Sequence, residues 1–210
     1  MNPHLFRRLF GFYVFLLVFT VSPAAQQKHV PAETTRLIER LKLGPNSTVA
    51  DVGAGEGEMT AELSRQLDPD ARIYSTDVNE KTLAELHDLV VRQKLGNVIV
   101  QAGAFEATNL PEACCDAIFV RRVYHHFGNP EVMNASILRT LKPGGRFAVM
   151  DFPPKKPVAG RVPPEQRASG DTHGVTAQTV VQELETAGFR IVEVIRDWPG
   201  GLFMVLAERP

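Results

Sequence analysis

The residues most suggestive of chemistry are Asp51-Val52-Gly53-Ala54-Gly55-Glu56-Gly57. The apolar run before them ends in a turn with glycine at every second position, and a helical pattern follows from Glu58. That order reads as a strand, a tight loop and a helix N-terminus. Glycines allow positive φ and close approach of a ligand to the backbone. The helix start offers unpaired N–H groups and the positive end of a dipole. Together they predict a nucleotide-type pocket at the carboxyl end of a strand. Two common phosphate signatures fail here. The dinucleotide spacing G-x-G-x-x-G is broken by Glu58 at its sixth position, and no Gly-Lys-Ser/Thr follows. Carboxylates at Asp51 and Glu56 would repel a pyrophosphate. They suit a ligand with a cationic end and no phosphate.

Other candidates are spread along the chain. Asp77 lies 24 residues after Gly53, at the end of a second apolar strand, where an acid can accept hydrogen bonds from ribose hydroxyls. Arg121-Arg122-Val123-Tyr124-His125-His126-Phe127 follows a fourth strand. His125 and His126 are candidate general bases there, since imidazole titrates near neutral pH. His173, in a loop rich in Pro, Gly and charge, is a weaker catalytic candidate. The two cysteines, Cys114 and Cys115, are adjacent. Neighbouring Cα atoms lie about 3.8 Å apart, below the usual disulfide span of about 4.4–6.8 Å. No second Cys pair accompanies them, so no metal site is expected.

The elements that must position these residues alternate. Helix from Pro31, strand 48–52, helix 58–67, strand 72–76, helix 79–94, strand 98–101, strand 117–120 and helix 129–141 follow one another. Leu83, Leu86, Val90 and Val91 are the expected inward face of the third helix. Lys142-Pro143-Gly144-Gly145 reads as a turn before strand 146–151. Residues 152–175 read as irregular, since Pro153, Pro154, Pro163 and Pro164 oppose regular structure. Helix 177–187 and strands 190–195 and 202–208 close the chain, the last strand alternating at Phe203, Val205 and Ala207. Such β–α alternation predicts an α/β, doubly wound, Rossmann-like parallel sheet with helices on both faces. The short link between the last two strands permits only an antiparallel pair.

The motif Asp51-Val52-Gly53-Ala54-Gly55-Glu56-Gly57 resembles the D-x-G-x-G-x-G segment of class I S-adenosylmethionine (SAM)-dependent methyltransferases. The resemblance covers about residues 30–208 and includes the seven-stranded sheet with its last strand antiparallel. It implies SAM as the cofactor, whose ammonium and sulfonium fit the acidic loop. It implies cofactor contacts at Asp51, Gly53, Ala54, Gly55, Gly57, Asp77 on the ribose, Val78 on the adenine, Ala104, Phe105 and Arg121. Many relatives carry Gly-Asp where this chain has Gly103-Ala104; Ala104 cannot accept the adenine amine, leaving Glu106 or a backbone carbonyl as substitutes. Tyr124-His125-His126-Phe127 resembles a segment of one small-molecule subgroup, placing His125 or His126 beside the transferring methyl. The expected function is methyl transfer to a small molecule. The alternative is a non-catalytic, degenerate SAM-binding protein that is exported. A dinucleotide oxidoreductase is disfavoured by the glycine spacing and Asp51.

The 210 residues suit one domain with a full core, and a net charge of −1 offers no basic surface for nucleic acid. Arg7-Arg8 precede an apolar run from Leu9 to Val21, followed by Ser22-Pro23-Ala24-Ala25. A basic start, a short apolar core and small residues read as a signal peptide over residues 1–25. The run is short for a membrane span of about 17–25 residues; an uncleaved membrane anchor is the alternative. Export, periplasmic or secreted, is therefore expected, with membrane contact only through this segment. Residues 26–210 are the expected methyltransferase domain.

Overall fold

The computed structural model describes residues 30–156, 158 and 160–210. The signal-peptide expectation for residues 1–25 lies outside them. Helix α1 (Val30–Leu41) leads into β1 (Thr48–Val52), α2 (Glu58–Gln66), β2 (Arg72–Asp77), α3 (Glu80–Gln93), β3 (Val98–Ala102) and β4 (Cys115–Arg121). Then come a 3-10 turn (Tyr124–His126), α4 (Pro130–Thr140), β5 (Leu141–Asp151), α5 (Ala177–Thr186), β6 (Arg190–Trp198) and β7 (Leu202–Glu208). The seven strands form one sheet in the order β3-β2-β1-β4-β5-β7-β6. Pairings are parallel up to β5, and β7 runs antiparallel to both β5 and β6. This is the expected doubly wound sheet. The chain leaves β1 toward β2 on one side and reaches β4 on the other. The carboxyl ends of β1 and β4 therefore flank the crevice where such sheets bind ligands.

Each face of the sheet has its own core. Leu37 and Leu41 of α1 and Met59 and Leu63 of α2 pack on Val49, Ile73 and Phe119. Met133 and Ile137 of α4 and Val180 and Leu184 of α5 pack on Ile118, Val120 and Val149 on the other face. Helix α3 starts where expected, because the Asn79 side chain accepts from the backbone N–H groups of Lys81 and Thr82.

Several expectations are corrected. Val91 is 75 % exposed, and Leu89 and Val90 carry the packing with Leu86. Leu89 and Val90 stand three and four residues after Leu86 and share its stripe, whereas Val91, five residues on, lies about 140° around the helix. Lys142–Gly145 is a bulge within β5 rather than a turn before it: Cys115 pairs with Leu141 and Ala117 with Arg146, so five steps along β5 oppose two along β4. Strand β7 does not alternate, because it lies between β5 and β6 with helices on both faces, and six of its seven residues are buried. The segment between β5 and α5 is irregular yet anchored. It makes two 3-10 turns (Pro164–Gln166 and Gly170–Thr172), the first opened by Pro164 itself. The wholly buried guanidinium of Arg167 pairs with Glu183 of α5 at 2.6 and 3.1 Å.

Candidate active site

The loop after β1 lies against the end of β2. The N–H groups of Gly53 and Ala54 both donate to the Thr76 carbonyl at 2.9 Å. Gly53 has φ +77°, and a Cβ there would fall 2.7 Å from a methyl of Val123. The loop can therefore close on the segment after β4 only with glycine at this point. Gly57, expected among the cofactor contacts, has a packing role. Also at φ +77°, it turns its missing side chain toward Leu86 and Leu89 of α3, 2.7 and 2.6 Å from a built Cβ.

A cleft of about 630 Å³ opens beside this loop, lined by Asp51, Gly53, Ala54, Gly55, Asp77 and Arg121 among others. A smaller apolar niche of about 110 Å³ adjoins it through the shared walls Gly53, Asp77 and Val123. Val78, Ala104 and Phe105 line the niche, with His126, Phe127 and Met133 behind them. Of the residues expected to hold a cofactor, all but Gly57 thus surround one continuous depression. Val78 and Phe105 are exposed apolar side chains, 45 % and 79 % accessible, at its rim. Glu106 is not among the lining residues; its carboxylate accepts from the Asn129 side chain at 3.3 Å.

Two carboxylates define the polar end. Asp77 is set by its own turn: one oxygen accepts from Asn79 N–H at 2.9 Å, the other from Gly55 N–H at 3.2 Å. Asp51 is only 2 % exposed, and its carboxylate accepts from the Thr60 hydroxyl at 2.8 Å. Burial pushes Asp51 up to about 7, against the pull of Thr60 and Arg121. Arg121 does not stand free in the cleft. Its Nε and Nη2 donate to both oxygens of Glu33 at 3.0 and 2.9 Å. Glu33 is wholly buried in α1 and also accepts from Trp198 Nε1 of β6 at 3.0 Å. Sequence reasoning missed Glu33. An acid in the first turn of an amphipathic helix reads as an ordinary solvated charge.

The histidines gather at the end of β4 and β5. His125 is buried, and its Nδ1 faces both oxygens of Asp151 at 2.9 and 3.0 Å. Asp151 also accepts the backbone N–H groups of His125 and Phe152, so Nδ1 is the donor in this contact and Nε2 keeps a lone pair. Across from that nitrogen, at 3.2 Å, is Nε2 of His173. The His126 ring lies beside His125, with centroids 4.0 Å apart, and keeps an exposed edge. Desolvation of the His126 ring, and then the neighbouring His125, lower its basicity. The structure therefore joins the two expected histidines to the weaker third candidate. Asp151, their orienting acid, ends strand β5 and carried no motif of its own.

Comparison with known proteins agrees with this architecture. Residues 50–149 match the family model described as a methyltransferase domain. A ubiquinone/menaquinone biosynthesis C-methyltransferase of Shewanella pealeana is 34% identical over 122 residues, 55% of this chain and 46% of the relative. One from Saccharophagus degradans is 29% identical over 105 residues, 50% of this chain and 42% of the relative. The match thus spans less than half the length of these curated relatives. A SAM-dependent methyltransferase from Aquifex aeolicus superposes with a TM-score of 0.72 at 24% identity, covering 91% of this chain and 100% of that one. The [4+2]-cyclase SpnF superposes at 0.73 with 20% identity, covering 86% and 81%. These structures show the fold, and the family model spans the segment from β1 through most of β5. Residues 50–149 thus carry a methyltransferase domain, on a fold shared with SAM-dependent methyltransferases.

Proposed function

We propose that this protein transfers a methyl group from SAM to a small-molecule acceptor. The observation that carries the reading is the joined depression: an acidic cleft over the glycine loop opens into an apolar niche fit for a purine. Asp77 stands at the junction, where a ribose would lie between methionine and adenine ends. The reaction is an in-line displacement: the acceptor's electron pair forms a bond to the methyl carbon, the C–S bond breaks, and sulfur leaves as a neutral thioether. The sulfonium is already a good leaving group, so alignment is the protein's main contribution. The fold alone does not fix this chemistry, as SpnF shows. The relatives' C-methyltransferase description places carbon nucleophiles, beside thiols, phenols, amines and acids, in the acceptor panel.

Calorimetry on the full chain tests the cofactor assignment. SAM and S-adenosylhomocysteine should bind and NAD should not; NAD binding without SAM binding sinks the proposal. Asp77→Ala should weaken SAM roughly 10–100-fold with the fold intact, because a hydrogen bond to a charged group is worth about 1.5–3 kcal/mol. Unchanged affinity would remove Asp77 from the site.

We also propose that residues 1–25 direct export and are then removed, on the strength of Arg7-Arg8, the short apolar run and the small residues after it. N-terminal sequencing of the mature chain should read from near Gln26. A start at Met1 in a cytosolic fraction would defeat this.

A further inference from the structure

We propose that His125, His126 and His173 form a binding site for a divalent transition metal of the zinc class; His126 also lines the apolar niche, so the site borders the proposed methyl-transfer pocket, and its metal binding is read without SAM. One ligand nitrogen from each of the three lies within 4.8 Å of the others. Zinc–imidazole bonds of about 2.0–2.1 Å set two nitrogens about 3.3–3.4 Å apart along a tetrahedral edge. The His125 and His173 Nε2 atoms are 3.2 Å apart, so this edge already exists.

The surroundings are those of a built site rather than a chance meeting of rings. His125 Nδ1 donates to Asp151, which fixes the ring and leaves Nε2 as the free ligand atom. That carboxylate–imidazole pairing is the usual support behind a metal-bound histidine. Asp151 is wholly buried and held by two backbone N–H groups. His173 is brought in by a loop that is pinned on both sides. Gly174 N–H donates to the Arg167 carbonyl at 2.9 Å, and Val175 N–H to the Phe152 carbonyl at 3.0 Å. Arg167 in turn is locked to Glu183. Phe152 packs its ring against both His125 and His173, with centroids 4.8 and 5.1 Å away, and shields one side from water. Imidazole is a borderline ligand suited to zinc, copper or nickel rather than magnesium or calcium. Three protein ligands leave a fourth position open, as in catalytic rather than structural zinc sites. The group that position takes is an oxygen: water, or the hydroxyl of a bound small molecule. A rival arrangement uses the same atoms without metal, with His173 Nε2–H donating to His125 Nε2.

Zinc binding decides between the two. The tag-free full chain is stripped with a chelator and titrated with Zn²⁺ against a chromophoric competitor; Co²⁺ titration reads the coordination geometry from its visible bands. One equivalent should bind, with a tetrahedral Co²⁺ spectrum. His125→Ala, His126→Ala and His173→Ala should each abolish or severely weaken binding, while His87→Ala on the exposed face of α3 should not change it. Asp151→Asn should lower affinity about 10–100-fold. His173→Gln, in a surface loop, and circular dichroism of every variant separate lost metal binding from lost fold. No uptake by the unmodified chain, or uptake that survives any one of the three histidine substitutions undiminished, overturns the site. Either failure leaves the SAM titration, and the methyl-transfer reading, standing on their own.

Discussion

Glu33→Ala should lower the melting temperature by roughly 6–20 °C. The substitution strips a largely buried guanidinium, only 13% exposed, of both its acceptors and leaves the Trp198 N–H without a partner. Breaking one side of a buried ion pair costs about 3–5 kcal/mol. In a chain of this size each kcal/mol moves the midpoint about 2–4 °C. The same change frees Arg121 to put an uncompensated positive charge into a cleft meant for a sulfonium, so SAM affinity should fall as well. A double variant, Glu33→Leu with Arg121→Met, should be much less damaging to stability, because exchanging a whole buried pair for apolar side chains is often neutral. Scanning calorimetry on the two variants tests both halves. A melt within about 2 °C of the parent for Glu33→Ala would show that water, not protein, satisfies Arg121.

SAM affinity should climb with pH between 5 and 7, by up to about tenfold per unit. Asp51 is the cause. With its carboxyl raised to about 7 by burial, the empty protein holds it protonated below that pH. The groups facing it are Thr60 of α2, Arg121 of β4 and Asp77 of β2, and only Asp77 raises it further. A cationic ligand favours the carboxylate, so binding must expel the proton, and the cost grows as pH falls. Above about 7 the carboxylate is already present and the gain stops. Above about 8 the ligand's own α-ammonium begins to deprotonate, and affinity should decline. The sign for stability is opposite. From the ordinary carboxylate range up to about 7, the native state keeps a proton that the unfolded chain has released, so this residue's contribution to stability decreases as pH rises. Calorimetry in buffers of different ionisation heat should record proton release on SAM binding at pH 6, absent in Asp51→Asn. No proton release and a flat affinity from pH 5 to 7 would exclude Asp51 from the charge recognition.

What the sequence made legible was local. The glycine loop, Asp51 and Asp77 each sit at the end of a strand and the start of a helix, and such turns are written within a dozen residues. The parallel sheet and its antiparallel closing pair followed from β–α alternation and one short final link. What it hid was long-range. Glu33 meets Arg121 across 88 positions and Trp198 across 165. No periodicity announces that a helical acid will be buried against them. His173 lies 48 residues from His125. The segment carrying it looked shapeless because its anchor is a side-chain ion pair, Arg167 with Glu183, rather than a backbone pattern. The β5 bulge was read as a turn for a related reason, since Pro-Gly-Gly suits both and only the partner strand decides.

The Glu33 contact also fixes the entry to α1. Glu33 sits one turn into α1, so the entry to that helix at Val30 is tied to the cleft wall rather than free to swing. Four residues separate Val30 from the end of the apolar N-terminal stretch with its small-residue tail. Fully extended, four residues reach about 14 Å. A chain that kept its first 25 residues in a bilayer would therefore hold its cofactor cleft on a leash shorter than the width of two helices, close to the lipid surface. Acceptors dissolved in the membrane would then meet the methyl group without crossing bulk water. A chain that lost those residues would sample only what diffuses to it, so cleavage at the front end would choose the acceptor pool before any side chain in the site does.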